Sequence, residues 1–223
     1  MTTEASPTPP PPDEGRQSSA DDARSRKLEV WIAALLGVVA ILTAFATYKA
    51  VLEDGDTLAN FNEGVKINIE ATSHDNEGMQ EYTTDQAQFI EFIKAETEGN
   101  SEVAGYFRNT LFSEELEEGW KWVEEHEDDP DIVSPFQEES PYGRPEFDTA
   151  EDLRKQSKAK FEEAGVHDED GDKYVLATVV LSISLFLLGI AGVNRLFKVQ
   201  RILVAIATVP LAAGLIQIIS VAA

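Results

Sequence analysis

The sequence predicts an all-α membrane protein: three transmembrane helices, with an extracytoplasmic antiparallel helical ectodomain between the first and second. Three observations predict it. Three runs of roughly 20 residues carry no charge, the length a helix needs to cross ~30 Å of hydrocarbon. The long segment between the first two runs has helical rather than alternating apolar periodicity. Short basic stretches flank the runs in an alternating pattern that fixes one orientation.

Composition narrows the function. The 223 residues include 41 Asp and Glu against 18 Lys and Arg, a net charge of −23. That balance repels phosphates and argues against a nucleic-acid partner. It suits a surface that attracts cations, although a proteome adapted to salt gives the same bias with no specific role. There is no cysteine, which excludes disulfides, thiolate metal sites and cysteine nucleophiles.

The elements follow in order. Residues 1–27 are rich in Pro, Ser, Thr and Asp and bury too little apolar surface to offset ordering, so they read as a disordered cytoplasmic tail. Its "PTPPPP" run favours an extended polyproline conformation, either as a solvated tail or as a ligand for a Pro-binding module. Residues 28–51 form the first span. The "AFA" at Ala44 to Ala46 resembles a cleavage site, but the apolar run is too long for a signal peptide, and an uncleaved anchor is expected. Residues 174–194 and 202–223 are the second and third spans, and Pro210 is expected to kink the third. None of the three holds an ionisable residue away from its ends, which disfavours a proton pump or coupled transporter.

Orientation comes from the basic flanks. Arg24, Arg26 and Lys27 precede span one. Arg195, Lys198 and Arg201 lie in "NRLFKVQR", the turn (195–201) joining spans two and three. Placing both stretches in the cytoplasm makes the three spans alternate consistently in a plasma membrane, with the ectodomain and the C-terminus outside. A lipid-headgroup or partner site is the other use of these cations. Within span one, Ala33, Gly37, Ala40, Ala44 and Thr47 recur at four-three-four-three spacing. Such a stripe lets helices approach closely, either within the chain or between copies.

Residues 52–173 hold 35 acids and 10 bases. Leu58, Phe61, Val65 and Ile69 extend a helix outward from the membrane to about Asn76, weakened at Gly55 and Gly64. A second helical stretch carries Phe89, Ile90, Phe92 and Ile93. A third starts at Ser113, an N-cap followed by Glu114 and Glu115, and puts Leu116, Trp120 and Val123 on one face. Pro130, Pro135, Pro141 and Pro145 mark an irregular connection. A last helix, capped by Asp148 or Thr149, leads to span two unless Gly165 and Gly171 break it.

Motifs for chemistry are few. His126 in "WVEEHEDDPD" is surrounded by carboxylates that suit a divalent metal, but no second histidine at ligand spacing accompanies it, and a solvated helix end explains it. "DEDGD" at Asp168 to Asp172 resembles part of a calcium loop, yet its sixth position is Lys173 rather than glycine. Phosphate-binding, dinucleotide and nucleophile-elbow patterns do not occur. The reading is no enzyme, no catalytic residues, no metal and no cofactor.

Three stretches, "LTAFATYKAVLEDGDTLANFNEGVKINIEA", "SPFQEESPYGRPEF" and "DKYVLATVVLSISLFLLGIAG", resemble an uncharacterised family of small bacterial membrane proteins, a domain of unknown function. The match extends from about Lys27 onward and is most specific at Tyr174 to Val179. It implies one N-terminal span, a helical ectodomain and a C-terminal pair of spans, and supplies no site residues. The expected role is interaction or assembly in the lipid bilayer, through self-association or with another membrane protein as an accessory subunit. The alternative is an oligomeric cation-conducting pore whose outer vestibule is lined by acids such as Glu53, Asp54, Asp170 and Asp172 above spans lined by Thr43, Thr47 or Ser182.

Overall fold

The computed structural model describes residues 14–194 and 196–222, with side chains from residue 26 onward. Among these residues the regular elements are all helical: α1 (Glu14–Thr97), α2 (Ser101–Tyr106), a π-helical turn (Phe107–Leu111), α3 (Glu114–Glu125), α4 (Pro145–Val193) and α5 (Phe197–Ala222). Two compact units form, one from the residues up to Thr57 together with those from Gly165 onward, the other from Leu58–Ala164.

In the first unit α1, α4 and α5 are each long and apolar enough to cross a membrane. Val39, Ala46 and Ala50 of α1 meet Tyr174, Ala177, Leu181 and Leu188 of α4, and Ala207 and Ile218 of α5 complete the core. The steps of three, four and seven residues are those of helices crossing at a shallow angle. Ser184 is fully buried and donates to the carbonyl of Ala207 at 3.1 Å, tying α4 to α5. Large apolar side chains such as Ile41, Phe45, Phe186, Ile206 and Val209 point outward, an arrangement that water would penalise and acyl chains accept. Trp31 and Tyr48, 67% and 62% exposed, sit 17 positions apart on α1, or ~26 Å along a helix, matching the aromatic belts at the two faces of a bilayer.

In the second unit the chain pairs α1 with α4 in antiparallel register. The rings of Phe61 and Phe161 are 5.4 Å apart, Ser157 donates to the carbonyl of Gly64 at 2.8 Å, and Arg154 pairs with Asp75. A Cβ on Gly64 would lie 2.9 Å from the Phe161 ring, so the glycine that weakens the helix in isolation is what lets the two helices touch. Beyond this pairing, Phe92, Ala95 and Ala104 form a small core with Phe89, Phe107, Phe112 and Trp120 packed around it. Phe136 from the Pro-rich connection meets Phe89, Tyr82 and Tyr142 at 5.7, 5.5 and 4.9 Å. Arg108 bridges to both Glu117 and Glu124 of α3. With no cysteine, these contacts replace covalent staples.

Several boundaries differ from the sequence expectation. The stretch to Asn76 and the second helical stretch are one helix, because Thr83 and Thr84 return their hydroxyls to Met79 and Gln80 carbonyls instead of breaking it. α1 ends in a Schellman motif: Gly99 has φ +74°, its N–H bonds Glu96, and the Asn100 N–H bonds Ala95. α4 starts at Pro145, not at an Asp148 or Thr149 cap, because proline suits a first helical position whose N–H has no partner anyway. It runs on through Gly165 and Gly171. The tail expected to be disordered to Lys27 is helical from Glu14, as no proline follows Pro12 in it; the "PTPPPP" run lies outside the described residues. The turn expected over 195–201 is shorter, since α5 already begins at Phe197.

Replacing Gly64 by leucine is expected to cost about 1–3 kcal/mol by overpacking against Phe161. Gly55→Ala, where nothing lies within 4 Å, is expected to gain roughly 1 kcal/mol of helix propensity. Thermal unfolding of the full chain in lipid nanodiscs, followed by circular dichroism, checks both: the first substitution lowers the melt and the second does not.

Candidate functional site

The second unit carries an acidic cleft of about 730 Å³. Glu77, Glu81 and Asp85 recur every four residues on α1 and line one wall. Glu115, in the first turn of α3, and Glu146, in the first turn of α4, line the others, with Tyr142 and Arg144 between them.

Asp85 is the structural centre of this wall. It is 5% exposed and accepts from the Ser113 hydroxyl at 2.7 Å and the Tyr142 hydroxyl at 2.9 Å. The same Ser113 oxygen caps α3 by accepting from the Leu116 N–H at 3.0 Å. One buried carboxylate therefore fixes the start of α3 and the end of the Pro-rich connection against α1, and its burial is tolerated because both donors satisfy it. Burial, then the bond to Asp85, pushes the Tyr142 phenol well above its ordinary value. Partial burial, then the carboxylates of Glu146, Glu115, Asp85 and Glu77, push Glu81 above the usual carboxylate range. Five carboxylates line the cleft against the one cation Arg144, so its charge is complementary to cationic groups.

Two histidine–carboxylate groups link α1 to α4, and the first shares Glu77 and Glu146 with the cleft. In the second unit His74 Nδ1 is 2.5 Å from Glu146 Oε2, with Glu77 4.0 Å away. In the first unit His167 Nδ1 is 2.8 Å from Glu53 Oε2, with Asp56 close by. Two atoms sharing a tetrahedral metal at bonds of 2.0–2.1 Å would stand about 3.3 Å apart. At 2.5 and 2.8 Å the nitrogen and oxygen stand at hydrogen-bonding distance, so both groups tie α1 to α4. Side-chain hydrogen bonding to Glu146 and to Glu53, the largest influence on each, raises His74 and His167 above the ordinary histidine value, against an opposing effect of burial.

The residues singled out from sequence are placed as follows. Ala33, Gly37, Ala40, Ala44 and Thr47 all point outward from α1, and no atom lies within 4 Å of where a Cβ of Gly37 would be. The packing within the chain uses the other face, Val39, Ala46 and Ala50. Arg26 and Lys27 are exposed on α1, and Lys198 and Arg201 are exposed on the first turns of α5. The Arg24 side chain and Arg195 lie outside the described residues. Cations at a helix N-terminus oppose the macrodipole, so Lys198 and Arg201 are not there to support α5. His126 is exposed, with its Nδ1 2.8 Å from the Trp122 carbonyl of its own helix. "DEDGD" is continuous helix within α4, with Asp170 and Glu169 both engaged by Lys173.

Sequence reasoning missed Asp85, His74 and His167. A single acid at a helical position gives no sign of burial, and each histidine finds its partner 72 or 114 residues away. No family model, curated protein or solved structure matches the chain. The resemblance to the three-span family rests on the quoted stretches alone.

Asp85→Ala removes the acceptor of two buried hydroxyls and is expected to cost about 1–3 kcal/mol. It should also let Tyr142 titrate closer to an ordinary phenol. Tyrosine-selective carbon NMR against pH, on the full chain in nanodiscs, reads the second effect directly.

Proposed function

We propose that this chain is a non-enzymatic membrane interaction protein. It holds its acidic helical unit outside the plasma membrane on α1 and α4, with the basic turn before α5 in the cytoplasm. It assembles with itself or with another membrane protein. The observation that supports this reading most is the division of labour along α1. One face of its apolar part packs onto α4 and α5, while the small-residue face of Ala33, Gly37, Ala40, Ala44 and Thr47 is left open. A helix in lipid gains little from exposing small residues, whereas a second helix can approach them closely. The acidic cleft then offers the partner's water-facing side a surface that selects for cationic segments and against nucleic acid.

The absence of native cysteine makes the test clean. In native membranes an Ala40→Cys chain is expected to form a disulfide-linked dimer on mild oxidation, or to crosslink stoichiometrically to a second protein identified by mass spectrometry. Adding Gly37→Leu should reduce either product several-fold. A chain that stays monomeric and partnerless overturns the proposal. A larger homo-oligomer that carries cation currents in planar bilayers would replace it with the pore.

A further inference from the structure

The α1–α4 pairing carries a histidine–carboxylate bridge in each unit, and both bridges stand at hydrogen-bonding distance. In the second unit His74 of α1 meets Glu146 of α4 at 2.5 Å. In the first, His167 of α4 meets Glu53 of α1 at 2.8 Å. Other polar links between these helices include Arg154 to Asp75, Lys160 to Glu63 at 3.7 Å, and Ser157 to Gly64. Arginine, lysine and hydroxyl groups do not change charge near neutral pH, but imidazole does. We propose that the two histidines make the α1–α4 pairing a proton-responsive clamp, tight in mildly acidic surroundings and looser above neutrality. The inference concerns the pairing itself and does not depend on which partner the chain binds.

The surroundings of each ring set the sign. His74 faces Glu146 from α4, and Glu77 and Glu70 from its own helix; the neighbouring Asp75 is engaged by Arg154. His167 faces Glu53 and Asp56 from α1 and Asp170 from its own helix. Two of these acids are themselves paired with cations, Glu53 with Lys49 at 3.7 Å and Asp170 with Lys173 at 2.8 Å. The carboxylates favour the charged ring, and both histidines bind their protons more tightly folded than unfolded. Below about pH 6.5 the ring is charged in both states and the clamp contributes in full. The contribution is lost as pH rises through the higher folded value. A neutral ring can still donate Nδ1–H to the carboxylate, but without the charge that makes such a bond strong.

The test is hydrogen exchange of the full chain in nanodiscs at pH 6 and pH 8, with rates corrected for intrinsic chemistry. Protection of residues 70–78 and 145–150 is expected to fall about two- to fivefold between the two conditions, the range for a partly exposed ion pair. His74→Gln and Glu146→Gln should show the lower protection at both pH values. His167→Gln should remove the response around residues 53–57 and 165–171 while leaving the other segment responsive. Histidine ring carbon shifts of the unsubstituted chain provide a readout independent of any variant, and both bridged rings should titrate above about 6.5. Protection unchanged with pH, a response that persists in the His74→Gln, His167→Gln double variant, or bridged rings that titrate at or below that value would overturn the clamp.

Discussion

A peptide group in hydrocarbon has no water to bond, and the first unit, with three helices long and apolar enough to cross a membrane, has the form this constraint requires. Each apolar run must satisfy its backbone internally, so glycines such as Gly37 and Gly189 do not interrupt the helices that contain them. The span hydroxyls obey the same rule. Thr43, Thr47, Thr178, Ser182 and Thr208 all donate to carbonyls three or four residues back on their own helices. Ser184 alone among the described span hydroxyls reaches another helix. Since lipid tails are as apolar as leucine, association of these helices rests on close packing of small residues, and Ala46, Ala50, Ala177 and Ala207 are buried at the contacts.

The second unit is rich in charge and solves a different problem. With far more acids than bases, it cannot neutralise its surface, and three of its cations make links between elements. Arg108 holds two glutamates of α3, and Arg154 and Lys160 each cross from α4 to α1. Exposed pairs of this kind contribute little singly. The larger share falls to the aromatic cluster from Phe89 to Trp120, to Phe136 and to the satisfied carboxylate of Asp85. Five acids, Glu77, Glu81, Asp85, Glu115 and Glu146, line the cleft, where the excess charge is concentrated.

What the sequence made legible was whatever local chemistry decides. The three charge-free runs, the Ser113 cap with its acidic first turn, and the Pro-rich connection all read correctly because span length, capping and proline geometry act within a few residues. Helix ends were harder. Gly64, Gly165 and Gly171 look like weak points from propensity alone, yet α1 and α4 run through them, and at Gly64 and Gly171 the partner helix packs close against the glycine. The face on which a residue sits was not legible either. The stripe from Ala33 to Thr47 was visible as a spacing, but only the position of Val39 and Ala46 in the core reveals that it points away from the chain's own helices. The cleft and the two histidine bridges join residues distant in sequence, so composition showed their charge and nothing of their arrangement.

The orientation we propose sets the acidic unit on one side of a membrane and the short turn between α4 and α5 on the other. Single cysteines test it in a chain that has none of its own. In intact cells an impermeant thiol reagent should label Ser140→Cys and should label Asn194→Cys only after permeabilisation. Equal labelling of both in intact cells would contradict the three-span arrangement, and the reverse pattern would contradict the orientation.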